Sequence, residues 1–196
     1  MLSVAMPQPS RPAPERSVRL DPARLRAQDP LAFRAFVVAH QTAVFALLSR
    51  MMGHGAHVED LAQETFVRAY KALPGFDFEG PAKVSTWLLT IATRLALDAK
   101  KKRTLREEPM EAAEVVPGGT TPEDERARVD LRNAIQRAVD ALPDDQRAAL
   151  ILAEMHGLSI AEIAAALEIP ENTAKTRLFR AREKMREALA PHGRTR

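Results

Sequence analysis

The chain has 196 residues, of which 45% are hydrophobic, a formal net charge of +3 and no cysteine. This length allows one domain or two small ones with a buried core, and the lack of cysteine excludes disulfides, thiol redox switches and thiolate metal sites. No window approaches the roughly eighteen consecutive apolar residues of a membrane span, and the N-terminus lacks the apolar segment of a secretory signal. The sequence therefore predicts a soluble, cytoplasmic protein.

The charge is unevenly distributed along the chain. Residues 107–130 carry eight acidic side chains against two arginines, whereas residues 100–106 and 175–186 are strongly basic. Basic segments on both sides of an acidic one favour a nucleic-acid partner, although a basic run by itself is more often a solvated helix end.

The N-terminal half predicts an arm followed by three helices. Residues 1–28 hold five prolines and several arginines, which is typical of a disordered arm. An apolar helix follows from Pro30 to Gly53, and a second keeps the helical period until Pro74 and Gly75 stop it. The third covers about 84–103. The expected inward stripes are Val58, Leu61, Thr65, Ala69 and Leu73 on the second helix, and Val84, Leu88, Ile91 and Leu95 on the third.

Residues 107–127 lack a sustained period, are rich in proline and glycine, and read as a flexible acidic linker. Four further helical patterns follow, at about 123–141, 144–155, 159–167 and 171–189. No strand pattern is convincing, so the predicted fold class is all-α, with two small helical domains joined by the linker.

The last two patterns predict a helix-turn-helix. Ser159 and Glu162 have the spacing of a capping box, and Pro170 suits the first turn of a new helix. Apolar residues would then join the two helices: Ile160, Ile163 and Ala164 from the first, Ala174, Leu178 and Ala181 from the second.

On the second of these helices, Phe179 lies opposite the buried stripe at about 100° per residue. In a major groove it could contact a thymine methyl, Arg180 could donate two hydrogen bonds to guanine, and Arg177 and Arg182 would flank the phosphates. The alternative is an ordinary helical hairpin in which Phe179 packs on a neighbour.

Two motifs carry a resemblance to a known family. The C-terminal segments "ALPDDQRAALILAEMHGLS" and "RLFRAREKMREAL" closely resemble the promoter-reading domain of the extracytoplasmic-function (ECF) group of sigma-70 family sigma factors. The segment "VEDLAQETFVRAYKAL" matches the D-x-x-Q-E-x-F-x-x-A signature of the family's other domain. Both motifs occur in the family's order, with a linker between them.

The resemblance implies a domain organisation. Residues 29–106 would form sigma region 2, which binds core RNA polymerase and recognises and melts the minus-ten element, and residues 128–190 would form sigma region 4, which reads the minus-35 element, with a tail at 191–196. It further implies promoter DNA as a partner and, commonly, an anti-sigma factor. No cofactor or metal is expected.

The resemblance also implies site residues. Core polymerase would be bound by Asp60, Gln63, Glu64, Phe66 and Lys71. Minus-ten DNA would meet the loop residues Phe76, Phe78, Lys83 and Trp87 and the outer face of the third helix, Thr86, Thr90, Thr93, Arg94, Lys100 and Lys101. Minus-35 DNA would meet Asn172, Thr173, Lys175, Thr176, Arg177, Phe179, Arg180 and Arg182. Trp87 could equally be core, and Arg94 departs from the asparagine that many relatives carry.

The sequence also bears on two rival functions, an enzyme and an autonomous transcription regulator. An enzyme is disfavoured because the sequence has no nucleotide-binding glycine motif, no cysteine nucleophile and no H-E-x-x-H, and the pair His54 and His57 has no acidic residues to complete a metal site. An autonomous helix-turn-helix transcription regulator remains the alternative, but no dimerisation element for a symmetric operator is evident.

Overall fold

The computed structural model describes residues 20–53, 55–106 and 124–191, and every regular element in these ranges is helical. In chain order the helices are α1 Pro22–Arg26, α2 Pro30–Met52, α3 Ala56–Ala72, α4 Val84–Arg106, α5 Asp124–Asp140, α6 Asp144–Glu154, α7 Ile160–Leu167 and α8 Glu171–Leu189. A 3-10 turn, Leu73–Gly75, closes α3. The all-α prediction is confirmed.

Helices α2, α3 and α4 pack as a three-helix unit, with α1 beside them. The predicted stripe of α3 lies inward, with Thr65, Ala69 and Leu73 fully buried. Thr65 is tolerated in this core because its hydroxyl donates to the carbonyl of Leu61 at 2.7 Å. The aromatic rings of Phe33, Phe36 and Tyr70 complete the packing.

The prediction of a disordered arm over residues 1–28 is wrong for residues 20–28. Asp21 caps α1 by accepting from the backbone N–H groups of Ala23 and Arg24, and Pro22 occupies the first turn, where no N–H is needed. Leu25 is 1% exposed and belongs to the buried core cluster, so α1 packs against the three-helix unit. Residues 1–19 lie outside the described ranges.

Helix α2 is long and apolar enough to cross a membrane by length and composition, with a mean hydropathy of 1.6 over its best window. The core helix of a soluble domain passes the same test. Here Phe36, Val44, Leu47 and Leu48 are completely buried against neighbouring helices, whereas Leu31, Val38 and Phe45 are exposed, so only part of the apolar content of α2 lies in the core.

Helices α5 to α8 form a second unit, in which α8 packs on α5, α6 and α7. Helix α5 begins at Asp124, so the last four residues of the predicted linker are helical, while residues 107–123 lie outside the described ranges. The two units also contact each other, α4 against α7 and α2 against α6, and their buried residues form one continuous cluster. The sequence did not predict this contact.

Candidate nucleic-acid and partner interfaces

The helix-turn-helix forms as predicted. The Ser159 hydroxyl accepts from the N–H of Glu162, and the Glu162 carboxylate accepts from the N–H of Ser159 at 2.8 Å. The Ser159 backbone N–H and then its hydroxyl hold the pKa of Glu162 below its usual range. After α7, Glu168 adopts the left-handed conformation at φ 54°, and its N–H donates to Ala164 and Ala165.

The two helices are held together by small side chains. Ile163, Ala174 and Ala181 are completely buried, while Ala164 and Leu178 are nearly so. Ile160 is half-buried against the same cluster. Alanine at the contact allows the two backbones to approach closely, which fixes α8 firmly on α7 and leaves its opposite face at the surface.

The outer face of α8 carries the residues predicted for minus-35 DNA. Phe179 is 62% exposed, so the hairpin alternative, in which it packs on a neighbour, is wrong. Lys175, Thr176 and Arg180 are also exposed, and within the described residues the Arg180 side chain has no ion pair or hydrogen bond. An exposed aromatic ring between unpaired cations is suited to a polyanion that also presents apolar groups.

The two flanking arginines are already paired within the unit. Arg177 Nε lies 3.0 Å from the carboxylate of Asp145, and Arg182 donates to Glu154 at 2.8 Å. Both acids belong to α6. Exposed pairs of this kind contribute little stability, so a phosphate could replace the carboxylate at either arginine.

The outer face of α4 differs from the prediction at Thr93. This side chain is 0% exposed, and its hydroxyl donates to the Leu89 carbonyl at 2.8 Å. Thr93 precedes Arg94 by one residue, and a rotation of about 100° carries it from the outer face into the core. Thr93 is therefore a structural residue.

Other predicted minus-ten residues of α4 face the second unit. Thr86 donates to the Glu162 carboxylate at 3.1 Å, and Arg94 contacts the end of α7. Lys100 lies against Asp144. Burial lowers the pKa of Lys100, while the hydrogen bond to Asp144 acts in the opposite direction. Lys101 and, in the preceding loop, Lys83 are exposed.

The three aromatic residues predicted for the minus-ten element form one cluster. The Phe76 ring lies 4.9 Å from Phe78 and 4.8 Å from Trp87 between centroids, and the Arg26 guanidinium lies 5.2 Å over Phe78. All three rings are half-buried. Phe78 and Trp87 pack on the core with one side of their rings. Their other side belongs to a partly exposed aromatic surface, which this packing holds rigid.

The predicted polymerase face of α3 is largely exposed. Asp60, Gln63 and Lys71 are exposed, and Glu64 is half-buried and paired with Arg68 at 2.7 Å. The assignment of Phe66 to this face is not supported by its position. It is 9% exposed and packs edge-on against Phe36, so it holds the helix from inside.

The sequence analysis did not identify two surface features, one on α3 and the other at the second unit. Val67 is 45% exposed and lies three and four residues from Glu64 and Lys71, at the centre of the polar face. The sequence signal for this exposed valine is its spacing, three residues after Glu64, which places it on the same face of the helix. A groove of about 360 Å³ also opens between the second unit and the end of α2, and it is lined by Arg50, Ile135, Val139, Leu150, Ile151, Glu154, Met155, Arg182 and Met185. The lining residues come from four helices that are distant in sequence, α2, α5, α6 and α8, so no local sequence pattern predicts the groove.

Comparison with known proteins identifies both units. Residues 36–106 match the Sigma-70 region 2 family and residues 132–185 match Sigma-70, region 4. The ECF RNA polymerase sigma factor SigW of Bacillus subtilis is 36% identical over 85% of this chain and 93% of its own length. The ECF RNA polymerase sigma-E factor of Escherichia coli is 34% identical over 86% and 92%.

Solved structures agree on the fold. The sigma factor RpoE of Bartonella quintana, in complex with the anti-sigma factor NepR, superposes with a TM-score of 0.67 at 24% identity, covering 81% of this chain and 96% of RpoE. CnrH, in complex with the cytosolic domain of CnrY, gives 0.62 at 25% identity, covering 87% and 95%.

Proposed function

The chain belongs to the sigma-70 family, as an ECF RNA polymerase sigma factor that directs promoter-specific transcription, and we propose which of its surfaces bind core polymerase and promoter DNA. The observation that carries this proposal is the outer face of α8. Its exposed Phe179 and unpaired Arg180 lie on the second helix of a helix-turn-helix, the element that enters the major groove in this motif.

Helix α8 reads the minus-35 element. Arg180 donates to a guanine edge, and Phe179 contacts a thymine methyl or a sugar beside it. Lys175 and Thr176 reach nearby bases or phosphates, and Asn172 and Thr173 sit at the N-terminal end of the helix, which enters the groove first. Arg177 and Arg182 exchange their α6 carboxylates for phosphates, which positions the helix without reading sequence.

Core polymerase binds the exposed face of α3. Asp60, Gln63, Glu64 and Lys71 supply charged and amide groups around a small apolar centre at Val67. Protein interfaces commonly combine a desolvated apolar centre with a polar rim, and the rim charges orient the partner. Phe66 contributes only by fixing the helix.

The minus-ten element is held between the aromatic cluster and α4. Melting requires bases to leave the stack, and aromatic surfaces beside cations are suited to hold them. Phe76, Phe78 and Trp87 supply the rings, while Lys83, Lys100 and Lys101 supply positive charge toward the backbone. Thr86 and Thr90 lie on the same side of α4.

An anti-sigma factor is the third partner. RpoE and CnrH were each solved with a protein that binds them, and this chain shares their fold. The cytoplasm, where core polymerase and promoter DNA meet, is the proposed location.

Run-off transcription tests the function as a whole. Core polymerase from the encoding organism is mixed with the full chain and a library of that organism's genomic DNA, and start sites are mapped. We expect initiation at a shared pair of promoter elements only when both proteins are present. Specific binding of duplex DNA by the chain alone, without stimulated transcription, would instead indicate an autonomous regulator.

A further inference from the structure

Arg94 is one of several residues that join the two units, and it bonds to the end of α7. Arg94 lies in the fourth turn of α4. It donates through Nε to the carbonyl of Ala166 at 3.3 Å and through a terminal nitrogen to that of Ala165 at 3.1 Å. Its other terminal nitrogen lies 3.1 Å from the carboxylate of Glu168. All three acceptors belong to the last turn of α7 and the residue that caps it.

The chemistry of this contact favours a cation. The last carbonyls of a helix lack intrahelical partners and carry the negative end of the helix dipole. A guanidinium presents several donors in one plane and can bond adjacent carbonyls and a carboxylate together. An asparagine at position 94 is shorter and uncharged, so it could not make the same set of contacts.

The contact covers a surface that the proposed function assigns to DNA. Thr86, Thr90 and Arg94 are spaced four residues apart and share one face of α4. Thr86 bonds to Glu162 at the start of α7, and Arg94 bonds to the end of α7. Helix α7 therefore lies along this face, and Thr90 lies between the two contacts. The minus-ten element cannot reach the face while α7 occupies it.

We propose that Arg94 is a latch that holds the helix-turn-helix over the minus-ten face of α4 in the free chain, and that promoter DNA and region 4 compete for this face. The proposal rests on the proposed function for the identity of the competitor. The latch itself is a property of the chain alone. It gives the departure at Arg94 a role in holding the two units together, distinct from reading bases.

The absence of native cysteine allows a direct test with a single reporter. In the full-length chain, Thr90→Cys places a thiol on the covered face, and its rate of alkylation by a maleimide is measured relative to that of the same chain unfolded in urea. Arg94→Ala is expected to raise the native rate about fivefold to tenfold, the factor that follows from losing roughly 1 kcal/mol of contact. Arg94→Lys keeps the positive charge but loses the planar set of guanidinium donors, so it should raise the alkylation rate less than Arg94→Ala does.

A matched control is Arg24→Ala, which removes an exposed arginine whose ion pair with Asp29 stays within the first unit. It should leave the alkylation rate unchanged. Glu168→Gln, which removes only the ion pair, should raise the rate slightly and should add little to Arg94→Ala. Circular dichroism checks that each variant is folded, and Thr86→Cys serves as a second reporter on the same face.

The outcomes separate the latch from the proposed function. An unchanged alkylation rate in Arg94→Ala at both reporter positions, with the fold intact, overturns the latch even if transcription falls. A raised alkylation rate supports the latch even if the chain fails to stimulate core polymerase. In that case only the proposal that promoter DNA competes with region 4 for this face is overturned.

Discussion

The guanidinium of Arg147, in the first turn of α6, donates to the carbonyl of Met51 at the end of α2, 96 residues earlier, at 3.2 Å. Arg147 is 4% exposed and also donates to the carbonyls of Val139, Asp140 and Leu142. This buried guanidinium thus donates to backbone carbonyls at the end of α2 in the first unit and at and just beyond the end of α5 in the second. Such a group is stable only while its hydrogen bonds are complete.

Arg147→Ala should therefore lower the free energy of unfolding by about 2–4 kcal/mol, because it leaves several buried carbonyls without a donor. Urea titration followed by circular dichroism measures the change. Arg137→Ala, an exposed arginine on the adjoining helix α5, should change it by less than about 0.5 kcal/mol. Equal losses for the two variants would contradict a structural role specific to the buried guanidinium.

The polymerase face of α3 can be tested with a matched pair of valines. Val67→Asp should weaken binding to core polymerase at least about tenfold, because it introduces a charge at the apolar centre of the face. Val38→Asp makes the same change on α2, where valine is 57% exposed, and should leave affinity unaltered. Binding is measured by fluorescence anisotropy with labelled chain.

Gln63→Ala combined with Glu64→Ala should likewise abolish co-purification with core polymerase and keep the helical fold, since neither side chain is buried. Retention of both this variant and Val67→Asp on core polymerase would move the interface away from α3.

Local signals account for the parts of the fold that the sequence predicted. The capping box at Ser159 and the apolar stripes of α3 and α8 depend on residues within one or two turns, and the structure confirms them. The same reasoning predicted that Phe179 faces outward. A one-residue error in the helical face was enough to misplace Thr93.

The sequence did not reveal features that depend on distant partners. Helix α1 is short and lies in a proline-rich segment, and it persists because Leu25 finds a buried site and because Gln28 donates to the Tyr70 carbonyl 42 residues away. The contacts of Arg94 and Arg147 join residues 71 to 96 positions apart. No periodicity within a helix carries that information.

Two half-buried histidines predict a pH dependence of stability. Burial lowers the pKa of His40 and of His156, and within the described residues Nε2 of each lacks a hydrogen-bond partner. The unfolded chain, with an ordinary histidine pKa of about 6.5, then binds protons before the folded chain does. Stability should be retained above that value and should fall as the pH drops below it.

Thermal unfolding at pH 7.5 and 5.5 measures this effect. The double variant His40→Leu, His156→Leu has no proton to gain at these positions and should lose less of its melting temperature between the two pH values than the parent chain. The single variants assign the effect to each unit. An unchanged pH dependence in the double variant would show that other groups are responsible.

The outer face of α8 allows base reading and phosphate contact to be separated. Arg180→Ala should cost about 1–3 kcal/mol in promoter binding by the polymerase complex and relax preference at one base pair, as for a lost bidentate contact to guanine. Arg177→Ala or Arg182→Ala should weaken binding to all sequences and reduce the salt slope by roughly one unit. The last two effects should be partly offset, because each arginine leaves a carboxylate of Asp145 or Glu154 when it binds phosphate.

Phe179→Ala completes this series. Because the ring is 62% exposed, the variant should keep the melting temperature of the parent chain within about 2 °C while losing promoter preference. Transcription from matched and mismatched minus-35 elements and thermal unfolding are measured for all four variants. A Phe179→Ala chain that lost stability and kept its promoter choice would place the ring in the packing of region 4 and remove it from the DNA surface, and Arg180 alone would then carry the base-reading assignment.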